Sequence, residues 1–186
     1  MGAGFGLLTP ALAAAQAAID YDQLGIQPLR ADPMSEAPRA IVLKNLHTDE
    51  SLDAVYWDKG GYVPDALGAV NRVLRDFRTG EEHPISPALL DVLSDLRAAV
   101  GSGAPFQVIS GYRSPATNAM LREQSAEVAQ HSLHMDGLAI DLFLDDVALD
   151  RLHLAALELT RGGVGYYPQT GFIHLDVGPV RRWQGA

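Results

Sequence analysis

Two short segments in the last third of the chain constrain its fold most. Leu138 to Leu144 alternates with a period of two: Leu138, Ile140, Leu142 and Leu144 fall on one face, and Ala139, Asp141 and Phe143 on the other. Phe172 to Val177 repeats the pattern, with Ile173, Leu175 and Val177 on the apolar face and His174 with Asp176 opposite. A period of two is that of a strand with one face covered. Each strand must bury its aliphatic face, and its polar side chains gather on the other side.

The remaining pattern alternates strands with helices. Ala40–His47 and Ser51–Trp57 read as a hairpin across the polar turn Thr48–Glu50, followed by a glycine-rich loop at Asp58–Gly61. Ala66, Leu67, Val70, Val73, Leu74 and Phe77 recur at helical spacing between Asp65 and Arg78, with Gly80 just beyond as a stop. Ser86 and Pro87 open a second helix whose broad apolar face runs from Leu89 to Val100. Pro105–Gly111 reads as a core strand, and Ser114-Pro115 caps a short helix carrying Met120 and Leu121. A further helix spans about Ala148 to Thr160 and stops at Gly162-Gly163, and Gly165–Tyr167 pairs with Phe172–Val177 across a turn at Pro168–Gly171. The short strand connections predict an α+β domain, an antiparallel sheet flanked by helices.

Composition narrows the class. The chain has 186 residues, of which 47% are hydrophobic and 20% charged, enough to bury an ordinary core. Its net charge of −9 argues against a nucleic-acid partner, which calls for a basic face. No apolar run approaches the roughly 20 residues of a membrane span. The absence of cysteine removes disulfides, thiolate zinc sites and cysteine nucleophiles, so any metal must be held by histidine and carboxylate. Residues 1–19 have the apolar body and Ala11-Leu12-Ala13 cleavage pattern of an export signal that lacks its basic front, which predicts an exported, periplasmic protein. Residues 20–39 carry Pro28, Pro33 and Pro38 without periodicity and read as a linker, with the domain over 40–186.

Four of the six histidines lie between His131 and His174. Where the two alternating strands are neighbours, His134, Asp141 and His174 can meet at one point. Two imidazoles and one carboxylate suit Zn²⁺ with a fourth position open to water. Histidines are also common as hydrogen-bonded structural residues, and spacing alone does not choose between the two. His47, His83 and His153 lie outside the cluster, with His153 expected on a helix surface.

The pattern Ser132-x-His134-x-x-Gly137-x-Ala139-x-Asp141, followed by His174 on a strand, resembles the zinc motif of the M15 peptidases. The chain from Ile41 to Trp183 is most similar to their DUF882, or MepK-like, branch of murein endopeptidases. Further segments carry the resemblance: Asn45-Leu46-His47-Thr48, Asp76 to Gly80, Ser110 to Ser114, Val164 to Pro168, and His174 to Gly178 with Arg182 and Trp183. The resemblance implies a Hedgehog/DD-peptidase-like fold, a zinc ion held by His134, Asp141 and His174, and an oxyanion-stabilising role for Arg113. It implies a hydrolase of stem peptides or their cross-links. A D,D- or L,D-carboxypeptidase and a non-catalytic zinc-containing wall-binding module are the alternatives.

One departure bears on mechanism. The dipeptidase branch places a glutamate base three residues before the last histidine, where this chain has Gly171, and another branch places a histidine where this chain has Phe172. Asp176 is then a catalytic candidate, either as base or as the carboxylate that orients a metal-bound imidazole, the second being preferred. The base is then unassigned: His131, three residues before His134, is the other candidate, and an exposed residue is the preferred reading of it. Tyr167 and Trp183 are expected to contact substrate.

Overall fold

The computed structural model describes residues 37–124 and 128–185. The expected export signal and most of the expected linker lie outside them. Among the described residues eight strands form one sheet and there are four helices, in the order β1 (Arg39–Asn45), β2 (Ser51–Asp58), β3 (Gly61–Tyr62), α1 (Pro64–Val73), α2 (Pro87–Val100), β4 (Phe106–Ser110), α3 (Pro115–Gln124), β5 (Ala139–Leu144), α4 (Leu149–Leu159), β6 (Gly163–Tyr167), β7 (Phe172–Asp176) and β8 (Arg181–Gln184). A single 3₁₀ turn, Leu133–Asp136, precedes β5. No helix among the described residues is long and apolar enough to cross a membrane.

The sheet order is β3-β2-β1-β4-β5-β7-β6-β8. It is mixed rather than wholly antiparallel: β1–β4 and β6–β8 pair in parallel, the other neighbours antiparallel. The reason is topological. Strands β1 and β4 are separated by the β2–β3 excursion and two helices, a connection long enough to bring the chain back in the same direction. The expected antiparallel core survives as β4-β5-β7-β6.

One hydrophobic core joins helices to sheet. Ile41, Leu43, Phe106, Ile140, Leu142 and Ile173 meet Val70, Leu89, Leu90, Leu93, Leu96 and Leu152, all of them essentially without solvent contact. Each such side chain contributes about 1.5–3 kcal/mol when fully buried. That is ample to fix which sheet face receives α1, α2 and α4. The opposite face of β5 and β7 is then left for Asp141 and His174.

Two side chains end elements earlier than expected. Asn45 Oδ1 accepts the N–H groups of His47 and Thr48, and its Nδ2 donates to Val73 O, so β1 stops before His47. Helix α1 ends at Val73, short of Arg78, and Asp76 organises the loop beyond it. The Asp76 Oδ1 accepts from Arg78 N, and its Oδ2 accepts from Ser114 N at 2.9 Å. Gly80 N–H donates to Asp76 O, closing a loop in which Gly80 has φ +76°. Phe77 keeps the helical spacing that suggested a longer helix, but it stacks on His47 instead.

Asp76 also gives the fold an acid-sensitive tie. Burial would raise its pKa, but hydrogen bonds from Thr117 and Ser114 and the Arg78 backbone outweigh that and hold it at about 2. A folded pKa below the unfolded one adds stability that is complete above roughly pH 4 and is lost as pH falls through the folded value. Asp76→Asn places N–H against N–H at Ser114 and is expected to cost about 1–3 kcal/mol at pH 7. In urea titrations the gap between wild type and variant should narrow by about 2 kcal/mol between pH 5 and pH 2. A gap constant with pH would remove the assignment.

Candidate metal centre

Antiparallel pairing of β5 with β7 sets Asp141 directly beside His174. His134 arrives from the 3₁₀ turn that Gly137 ends at φ +65°. A Cβ on Gly137 would stand 2.2 Å from Pro84 O, so the turn can press against that loop only with glycine there. Gly137 O in turn accepts the Ser86 N–H at the start of α2.

The three expected residues converge. His134 Nε2 lies 3.2 Å from His174 Nδ1 and 3.2 Å from Asp141 Oδ1, and His174 Nδ1 lies 2.8 Å from the same oxygen. These separations are close to the roughly 3.3 Å edge of a tetrahedron with Zn–N and Zn–O bonds of about 2.0–2.1 Å. The outer nitrogens are committed elsewhere. His134 Nδ1 is 2.7 Å from Gly111 O, which can only accept, so Nδ1 carries the proton and Nε2 presents its lone pair inward. His174 Nε2 is 3.0 Å from Asp176 Oδ2, which leaves Nδ1 facing the triangle. Two nitrogen lone pairs and a carboxylate oxygen, all buried and aimed at one point, fit a divalent ion.

Electrostatics agrees with that donor set. Burial lowers the pKa of His134, and Asp141 only partly offsets it. Burial also opposes charge on His174, but the carboxylates of Asp141 and Asp176 prevail and raise it to about 9. Asp141 would be raised by burial, yet the two imidazoles hold it far below the usual carboxylate range. Asp141 is therefore held as a carboxylate, and the positive charge it favours falls beside it on His174 rather than on His134.

Asp176 does not face the groove. Its Oδ1 accepts from Gly163 N, Gly178 N and Arg181 Nη1, and its Oδ2 from Arg181 Nη2 and His174 Nε2, at 2.7–3.0 Å. No lone pair is left to draw a proton from water beside the triangle. Gly171, at the position of the dipeptidase glutamate, has φ +78° in the β6–β7 turn, which disfavours any side chain there. Phe172 stacks on Tyr167.

The groove around the triangle is lined by Arg113, His131, Tyr167, Phe172, Arg181 and Trp183, among others. The segment before α3 is tied at four successive residues: Gly111 O to His134 Nδ1, Tyr112 N to Leu74 O, Arg113 N to His134 O, and Ser114 N to Asp76 Oδ2. Arg113 Nη2 lies 3.6 Å from Asp141 Oδ2, while its buried Nε has no partner among the described residues. Burial lowers the Arg113 pKa, but the guanidinium stays charged. Trp183 Nε1–H donates to Tyr167 Oη at 2.9 Å, and its ring lies 5.1 Å from that of His174. His131 is exposed at the groove. His83 stacks on Tyr112 and His153 on Tyr166, so neither joins the centre.

Strand β8 and Arg181 were not anticipated. Arg181 and Trp183 sit opposite Gly163 and Gly165 in the parallel β6–β8 ladder, while the intervening Arg182 projects to the other face. The available signal was Gly163-x-Gly165: a Cβ at either would stand within 2.6 Å of Arg181 or Trp183 atoms.

A mixed sheet with a buried His–Asp–His triangle in the lining of a groove is an arrangement able to hold a metal ion, as in a metallopeptidase-type domain. The profile of the family described as peptidoglycan L,D-endopeptidase MepK matches residues 33–183. The peptidoglycan L,D-endopeptidase MepK of Escherichia coli K12 is 44% identical over 146 residues, 78% of this chain and 80% of that protein. The probable peptidoglycan L,D-endopeptidase MepK of Haemophilus influenzae is 40% identical over 150 residues, 80% of this chain and 81% of that protein. The chain belongs to this MepK-like family of M15 peptidases.

Proposed function

We propose that the chain is an exported zinc endopeptidase that hydrolyses amide bonds in the peptide cross-links of peptidoglycan, next to D-configured centres. The observation that carries this is the convergence of His134 Nε2, Asp141 Oδ1 and His174 Nδ1 in a groove, in a chain 44% identical to a protein named a peptidoglycan L,D-endopeptidase. The family membership and the antiparallel β4-β5-β7-β6 core support a Hedgehog/DD-peptidase-like fold. Peptidoglycan lies outside the cytoplasmic membrane, which agrees with an exported protein.

His134, Asp141 and His174 would hold the ion. When bound, zinc supplies a Lewis acid that polarises a carbonyl and lowers the pKa of water. Arg113 brings a largely buried cation to the lining of the groove, suited to the charge that develops on a carbonyl oxygen. Asp176 accepts the His174 Nε2–H and so holds a proton rather than moving one. His131 remains as the candidate base. Tyr167 and Trp183, joined by their hydrogen bond, form an aromatic wall for the stem peptide.

The test is digestion of purified peptidoglycan by the zinc-replete protein, with the soluble fragments separated. Cross-linked dimers should decline and monomers accumulate, chelation should stop the reaction, and added zinc should restore it. Loss of a terminal residue with dimers intact would make the chain a carboxypeptidase. Binding without any product would leave a wall-binding module.

A further inference from the structure

Arg181 lies on a strand outside the metal triangle, yet it has the strongest hold on the carboxylate behind it. Its Nη1 donates to Asp176 Oδ1 at 3.0 Å and its Nη2 to Oδ2 at 2.7 Å. The Asp176 side chain is 0% exposed, whereas that of Arg181 is 43% exposed and its guanidinium lies 5.1 Å from the Trp183 ring centroid. A fully buried carboxylate needs a paired charge and filled lone pairs to stay ionised. Arg181 supplies the charge, and Gly163 and Gly178 supply two backbone N–H groups. The space is specific: a Cβ on Gly163 would stand 2.4 Å from Asp176 Oδ2 and 2.6 Å from Arg181 Nη1.

We infer that Arg181 is a positioning residue that acts through Asp176 on His174. The two-point grip leaves Oδ2 one remaining partner, the His174 Nε2–H. That bond fixes the ring so that Nδ1 faces Asp141 and His134. Without Arg181 the carboxylate can turn, and the imidazole can adopt orientations that carry Nδ1 away from the triangle. Trp183, two residues along the same strand, packs beside both the guanidinium and the imidazole, so β8 sets the back wall of the centre as one unit. The inference rests on the reading that His134, Asp141 and His174 hold an ion.

The experiment measures zinc affinity by competition with a chromogenic chelator for wild type, Arg181→Met, Arg181→Lys, Arg182→Met and His174→Ala. Arg181→Met should bind zinc about 10–100-fold more weakly, the range expected when a partner behind a ligand is lost. Arg181→Lys should recover part of that, because an ammonium can pair with Asp176 but cannot bridge both oxygens. Arg182→Met should match wild type. Proton NMR of the metal-free proteins provides a reading independent of the ion: the His174 Nε2–H should exchange slowly in wild type and rapidly in Arg181→Met. Arg181→Met within twofold of wild type, with its Nε2–H still protected, overturns the inference alone. If Arg181→Met does not fold, Arg181→Lys decides, and affinity equal to wild type with an equally protected proton overturns it. Wild type without stoichiometric zinc, or His174→Ala binding as tightly as wild type, would overturn the metal reading and this one together.

Discussion

His174→Ala should lower peptidoglycan hydrolysis by at least about a thousandfold while the protein remains folded. The substitution removes one of three inward donors, and Asp141 with His134 alone offers too few ligands to keep a zinc ion in place. A bound ion contributes several kcal/mol of transition-state stabilisation, and each 1.36 kcal/mol is a factor of ten in rate. About 4 kcal/mol is therefore enough for the loss expected. The fold should tolerate the change, because β7 is held by Ile173 and Leu175 on its other face, both within the core. Asp176 keeps Arg181, Gly163 and Gly178 as partners, and Asp141 keeps His134. Fragment release is read beside zinc content by elemental analysis and the circular dichroism of both proteins. Equal release from wild type and variant would remove the proposed chemistry.

The convergence was legible in part because two of its three residues, Asp141 and His174, follow the simplest periodicity, while His134 stands on the 3₁₀ turn before β5. Alternation in Phe172–Val177 placed His174 and Asp176 on one face before any neighbour was known, and the β5–β7 register then set Asp141 against His174. Alternation does not reveal which hydrogen bonds a side chain will make, so it left open whether Asp176 takes a proton or orients a ring. Those bonds include two from Arg181, and β8 is what places Arg181 there. Strand β8 reads Arg-Arg-Trp-Gln, mostly exposed and without an apolar face, so hydrophobic patterning carries no trace of it. What holds it is a backbone ladder to β6 and the room left by Gly163 and Gly165. The parallel β1–β4 pair was hidden for a related reason: pairing across two helices is a matter of chain path, not of local spacing. The early end of α1 has a different origin. Phe77 continues the helical period, but the Asp76 carboxylate competes for the same backbone N–H groups and closes a loop instead.

Arg113→Ala is the second substitution expected to have a large effect, and it separates two roles for one side chain. A tie to Asp141 at 3.6 Å would make Arg113 structural, and its loss would then appear in thermal stability and zinc affinity. The surrounding bonds argue otherwise. Backbone contacts from Gly111 to Ser114 hold the segment without help from the guanidinium, and Asp141 already lies within 2.8–3.2 Å of two imidazoles. What the side chain retains is a guanidinium that lines the groove and a buried Nε–H with no protein partner among the described residues. A preorganised donor of this kind matters most where negative charge appears in the transition state, and removing one costs about 10²–10³ in kcat. The expected result is therefore a kcat lower by that factor, with KM changed little and zinc content unaltered. Arg113→Lys should recover only a small part, since an ammonium cannot reproduce the planar fork of donors. A raised KM with unchanged kcat would instead assign Arg113 to substrate binding alone.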